Sequence, residues 1–255
     1  NSDPLMVPTF ADIDNDNDLD FFTGNVVGTV TFYENIGYSN NVPLFEFITN
    51  YWEEIFIVGS SFEQRHGASA ITFIDLDEDY DLDLTWGDYF QQSLYVVWNE
   101  GNINNPNMNI ENILQQFPLN DPVLTAGLNM PSFSDIDNDG DEDLFVTVLS
   151  GAYGYQLINN LIFYEMENDF MYRTSNFIES VDMLSDINPT FCDIDSDGDA
   201  DMFVGTDFDP SSVPWYGRVK MFKNIGLDEH GEPIWSLEDD DLLNDDIGHN
   251  LAPFF

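Results

Sequence analysis

Aspartate recurs at every second residue in four short stretches of this chain. They are Asp12, Asp14, Asp16, Asp18 and Asp20; Asp75, Asp77, Asp79, Asp81 and Asp83; Asp135, Asp137, Asp139, Asp141 and Asp143; and Asp193, Asp195, Asp197, Asp199 and Asp201. Carboxylates this close repel one another unless a cation sits among them. Alternation places them on one side of a tightly curved backbone, so their oxygens converge. An all-oxygen set without His or Cys selects a hard cation, and a flexible shell of about six to eight ligands favours Ca²⁺ over Mg²⁺. The expectation is about four calcium ions, one for each stretch.

Numbering each stretch from its first aspartate, position 2 is always apolar (Ile13, Leu76, Ile136, Ile194) and is expected to point into the core. Position 6 is where the loop turns back, and it calls for a residue that tolerates positive φ. Gly140, Gly198 and Asn17 suit that need and Tyr80 does not, so the Asp75–Asp83 loop is predicted to be the most distorted. An EF-hand is excluded. That motif needs a bidentate Glu at position 12, where this chain has Thr23, Trp86, Val146 and Val204. Four such loops in register also argue against merely solvated acidic turns.

The elements that must hold these loops repeat with them. The first aspartates lie 63, 60 and 58 residues apart. A strand-like segment ending in Phe10, Phe73, Phe133 or Phe191 leads into each loop, and an apolar strand leaves it: Phe21-Phe22, Leu84-Thr85-Trp86, Leu144-Phe145-Val146, Met202-Phe203-Val204. A further strand ends in aromatic-x-Asn or a close variant, as in Phe32-Tyr33-Glu34-Asn35 and Phe222-Lys223-Asn224. A last, less regular strand closes the unit, such as Leu44–Ile48 or Pro233–Leu237. Short strands rich in aromatic and β-branched residues between turn signals predict an all-β fold. Four strands in roughly 40–60 residues is the size of a propeller blade. The predicted fold is therefore a β-propeller of four-stranded antiparallel blades, with four blades present plus the start of a fifth. The blades span 1–58, 59–119, 120–180 and 181–246, and residues 247–255 read as the first strand of a truncated fifth repeat. On that reading the chain is a piece of a longer one.

The segment Asp135–Val146, with its three counterparts and the Phe32–Gly37 turn, resembles the FG-GAP/VCBS-type repeat of integrin α-subunit propellers and bacterial secreted proteins. The resemblance covers nearly the whole chain. It implies a propeller with calcium in the loop between the first two strands of each blade, and no single activity. By analogy with such loops, positions 1, 3, 5 and 9 bind through side chains. Position 7 binds through its carbonyl and turns its side chain to solvent.

Composition narrows the function. The formal charge of −44, from 49 acidic and 5 basic side chains, repels nucleic acid and anionic lipid. Neither a nucleic-acid partner nor membrane insertion is expected, since no segment has the run of about 18–20 apolar residues that a span needs. Calcium at extracellular, millimolar levels suits modules of this kind, so an extracellular, secreted or cell-surface location is expected. Catalysis finds little support. His66, His230 and His249 lack a nearby nucleophile or ligand spacing, Cys192 reads as an inert buried thiol, and Gly24, Gly28, Gly87 and Gly205 read as turns. The run Glu238–Asp241 reads as a solvated edge. The protein is expected not to be an enzyme.

In an up-and-down blade the loops alternate between faces, so the face away from the aspartates carries the second-to-third and inter-blade connections. Tyr89, Phe90, Tyr153, Tyr155, Trp215 and Tyr216 fall there, with Arg65, His66 and His249 on the inter-blade connections. Aromatics on a loop face suit stacking on sugars or gripping a protein. The expected role is adhesion or protein–protein assembly at a cell surface, with further blades of a longer chain or neighbouring subunits as companions. The alternatives are a carbohydrate-binding propeller and the propeller domain of a secreted enzyme.

Overall fold

A computed structural model of the chain describes residues 7–57, 69–148, 151–155, 158–166, 169–173, 187–206, 216–229 and 233–243. Among the described residues sixteen strands make four sheets. The first holds β1 (Pro8–Ala11), β2 (Asp20–Gly24), β3 (Val30–Ser39) and β4 (Val42–Thr49). The second holds β5 (Ser69–Ile74), β6 (Asp83–Asp88), β7 (Leu94–Asn99) and β8 (Met108–Leu114). The third holds β9 (Asn129–Ser134), β10 (Asp143–Val148), β11 (Leu161–Met166) and β12 (Phe170–Arg173). The fourth holds β13 (Asn188–Cys192), β14 (Asp201–Gly205), β15 (Val219–Leu227) and β16 (Pro233–Asp239). In every sheet the strands pair antiparallel in chain order, so each is one propeller-type blade, and the fold is all-β. Each aspartate loop joins the first two strands of its blade. Among the described residues the helical content is one 3₁₀ turn, Trp52–Glu54.

Burial follows position in the blade. Every residue of β6 and β10 is buried, including the polar Asp83, Thr85, Asp88, Asp143 and Thr147. Almost all of β4, the outer strand of its blade, is exposed, and its sequence is correspondingly irregular. The chain divides into two compact units, Asn1–Pro131 with Ser150–Gly154, and Ser132–Leu149 with Tyr155–Phe255. In the first, Ile13, Phe22, Val30, Trp52, Ile71, Leu84 and Trp86 belong to one core cluster that joins its two blades. In the second, Ile136, Phe145, Phe163, Met202 and Val204 do the same. The same rings recur: Phe22 stacks on Phe32 at 4.8 Å and meets Phe73 of the following blade at 4.7 Å. Phe145 stacks on Phe163 at 4.8 Å and meets Phe191 at 4.5 Å.

Three glycines expected in turns lie in strands instead. Gly24, Gly87 and Gly205 each sit four residues after the last aspartate of their loop, in β2, β6 and β14. A Cβ on Gly87 would stand 1.6 Å from the Asn129 carbonyl oxygen, and one on Gly24 2.6 Å from the Ser69 Cβ. Glycine is required there because the next blade's first strand passes against bare backbone. Gly28, at φ +84, is a turn as expected. Position 2 divides as well. Ile13 and Ile136 are buried in their units' cores, whereas Ile194, on the last described blade, is 48% exposed. No described sheet follows that blade to cover it. Residues 247–255, the expected start of a fifth blade, lie outside the described residues, as do Arg65, His66, His230 and His249.

Candidate metal loops and ligand face

The four loops share one hydrogen-bond scheme. Position 1 accepts two backbone N–H groups, those of positions 5 and 6. For Asp12 these come from Asp16 and Asn17, both at 3.0 Å; for Asp75, from Asp79 at 3.1 Å and Tyr80 at 2.9 Å. Asp135 takes those of Asp139 (3.2 Å) and Gly140 (3.1 Å), and Asp193 those of Asp197 (3.1 Å) and Gly198 (3.0 Å). Position 5 in turn accepts the N–H of position 7 in every loop, at 3.0–3.1 Å. These bonds curl the backbone around the carboxylates. Oxygens of positions 1, 3 and 5 consequently lie within 4.8 Å of one another in each loop: Asp12, Asp14, Asp16; Asp75, Asp77, Asp79; Asp135, Asp137, Asp139; Asp193, Asp195, Asp197.

Position 6 has positive φ throughout, at +71 in Asn17, +74 in Tyr80 and +102 in Gly140 and Gly198. The Tyr80 loop is not distorted, contrary to expectation. Its side chain is 81% exposed, so the backbone strain is its main local cost. Position 4 is also left-handed, with Asn15, Glu78, Asn138 and Ser196 at φ +60 to +66. That second turn was not anticipated, although Asn at two of the four positions was a usable signal.

Position 9 sits beneath the cluster as a buried strut. Asp20, Asp83, Asp143 and Asp201 accept the N–H of Asn35, Asn99, Met166 and Asn224 from the third strand at 2.8–2.9 Å. Asp83, Asp143 and Asp201 also take the N–H of position 2, at 3.2–3.3 Å. Burial pushes Asp20, Asp83 and Asp143 up to about 7, against the pull of those N–H groups, and Asp201 upward as well. Asp14, Asp77 and Asp137 at position 3 are raised by burial and by neighbouring carboxylates. The asparagines of the aromatic-x-Asn motif were legible only as strand ends, yet they tie the loop to the hairpin. Asn35 and Asn99 each donate through Nδ2 to the position 8 carbonyl, of Leu19 and Leu82, and accept the N–H of Gly37 and Gly101.

Position 7 corrects the analogy drawn from the sequence. Asp81 is 3% exposed, and its Oδ1 is buried without a hydrogen-bond partner, as is Oδ1 of Asp18. Burial, with Asp79 and Asp77 next to it, raises Asp81 to about 6. These two side chains do not simply face water. An orphaned buried carboxylate oxygen in the same loop as three converging carboxylates, with an all-oxygen donor set, fits a hard divalent cation.

The opposite ends of the blades hold the aromatic residues. Tyr89 and Phe90 lie between β6 and β7, with ring centroids 5.0 Å apart, and the Tyr153 hydroxyl donates to the Phe90 carbonyl at 3.2 Å. In the first unit Phe90, Gln91, Tyr95, Leu114, Gln115, Gln116, Leu119 and Tyr153 line a cavity of about 480 Å³. Its lining carries aromatic rings and amides and no carboxylate, on a chain of charge −44. Tyr155 is 85% exposed and Tyr216 half-buried, while Trp215 lies outside the described residues. Cys192 is half-buried in β13, and burial raises its thiol, so it stays protonated. In the acidic run, Asp241 pairs with Arg218 at 2.5 Å.

Among the described residues no helix is long and apolar enough to cross a membrane. No protein-family model, curated protein or solved structure matches the chain.

Proposed function

We propose that this chain is a calcium-stabilised β-propeller module of the FG-GAP/VCBS kind, not an enzyme, that works outside the cell in adhesion or protein assembly. One observation carries the reading. In four loops of different sequence the backbone draws three carboxylates together over a fourth that is buried or held by backbone N–H groups. Such an arrangement is costly without a cation, and calcium is abundant where such modules operate. The rigid blades then present aromatic loops on the far face to a partner. Thermal melting in calcium and in excess EDTA tests this; an unchanged curve sinks it.

A second reading, carbohydrate binding, is favoured by the first unit's cavity. A neutral, hydroxyl-rich ligand suits rings to stack on and amides to donate and accept hydrogen bonds, with no charge to repel or neutralise. A glycan array probed with the calcium-loaded chain separates the two. Binding of neutral sugars that is lost in Tyr153→Ala supports the second reading, and a blank array supports protein assembly.

A further inference from the structure

One hairpin position reaches the loop from outside it in the third and fourth blades. The residue just before the amide that holds position 9 is Glu34, Trp98, Glu165 or Lys223 in the four blades. In the third blade Glu165 is 8% exposed. Its carboxylate oxygen lies within 4.8 Å of oxygens from Asp137 and from Asp143, itself 1% exposed. Three carboxylates gathered there, two of them buried, repel one another unless a proton or a cation sits among them. In the fourth blade the same position carries the opposite sign. The Lys223 ammonium is ion-paired with Asp195 and lies 3.4 Å from Asp197. Those are positions 3 and 5, two of the three carboxylates that converge in that loop.

We propose that this hairpin position sets the cation content of the loops: Glu165 completes the third site as an extra carboxylate ligand, and Lys223 fills the fourth site in place of a calcium ion. The proposal rests on the calcium reading above. A tethered ammonium is always present at high effective concentration, so it competes with a free ion for the same oxygens. It also repels a divalent cation brought to within a few ångströms. The fourth loop can accept the weaker monovalent charge because Asp193, Asp195 and Asp197 are all exposed and partly neutralised by water. The third differs by one further buried carboxylate, since Glu165 joins Asp143 there whereas the fourth has only Asp201 buried. The loops are thus not four equal calcium sites, and the fourth does not fit the ion as its sequence suggests.

Equilibrium dialysis against calcium, run on the full chain and on Lys223→Gln and Glu165→Gln, tests the assignment. The expected result is one more bound ion in Lys223→Gln than in the unaltered chain. In Glu165→Gln one ion should be lost or weakened at least tenfold. In EDTA, Lys223→Gln should melt a few degrees below the unaltered chain, because the fourth loop loses its internal cation. Equal ion counts in Lys223→Gln and the unaltered chain would overturn the role of Lys223, and unchanged binding in Glu165→Gln that of Glu165. Equal melting in EDTA also counts against Lys223. A chain that binds no calcium in any variant removes the calcium reading itself, a different outcome from calcium bound equally by all.

Discussion

The third and fourth loops are near copies in sequence and backbone, and they touch: Asn138 Nδ2 donates to the Gly198 carbonyl at 2.7 Å and to Asp199 at 3.2 Å. Both have glycine at position 6 with the same φ of +102. Yet one gathers a buried glutamate and the other a half-buried lysine. Identical local geometry can therefore hold different charges, because the deciding side chain comes from a separate strand. What distinguishes a metal loop from an ion-paired loop here is the hairpin packed against it.

The largest effect that would sharpen this contrast is removal of calcium. Each occupied site adds roughly 2.7 kcal/mol at a hundredfold excess over Kd. Chelation should lower the melting temperature by many degrees, and Lys223→Gln, with a further site to lose, should show the wider gap between calcium and EDTA. Equal gaps in the two proteins would erase the distinction.

Next in size is the strut. Asp143→Ala removes a ligand and strands the N–H groups of Ile136 and Met166, a loss of about 3 kcal/mol or more in calcium. Asp201→Ala strands the equivalent groups of Ile194 and Asn224 but forfeits no bound ion, so its loss measured by calcium-loaded denaturation should be smaller. Losses of the same size would break the comparison.

The pH responses should also part. Asp143 has a folded value of about 7, above that of a free carboxylate near 3.9, so the calcium-free fold holds this proton more tightly than the unfolded chain. Its contribution is complete below about pH 4 and is lost as pH rises through 7. Calcium must displace that proton, so binding should tighten over the same range. Asp195 runs the other way. Its hydrogen bond from Lys223 holds it below the usual carboxylate range, and that contribution fades as pH falls through its folded value. Calcium titrations at pH 5 and pH 8 check the first trend. Carboxylate NMR shifts of Asp195 in Lys223→Gln check the second.

The smallest effect concerns strain. Tyr80→Gly should stabilise the calcium-free chain by about 1 kcal/mol, since Tyr80 holds φ +74 with its ring in solvent. The reverse change, Gly140→Ala in the third loop, should cost a similar amount. Urea denaturation in EDTA reads both.

The sequence by itself determined whatever depends on neighbours a few residues apart. Alternating aspartates, the turn residue at position 6 and strands of period two are local, so the four blades, their strand order and the convergence of positions 1, 3 and 5 were all readable. Even Tyr80, a poor residue for its turn, could not overrule the backbone scheme that its neighbours impose. Tertiary structure alone decided which groups meet each loop from a distance. Glu165 reaches Asp143 across 22 residues, and Lys223 reaches Asp195 across 28, through hairpin pairing that no spacing along the chain reveals. It also decided that Asp81 is buried, that Ile194 is exposed and that Gly87 lies under the Asn129 carbonyl. Burial is a property of what packs on top, and in these blades the covering residues come from another strand or another blade.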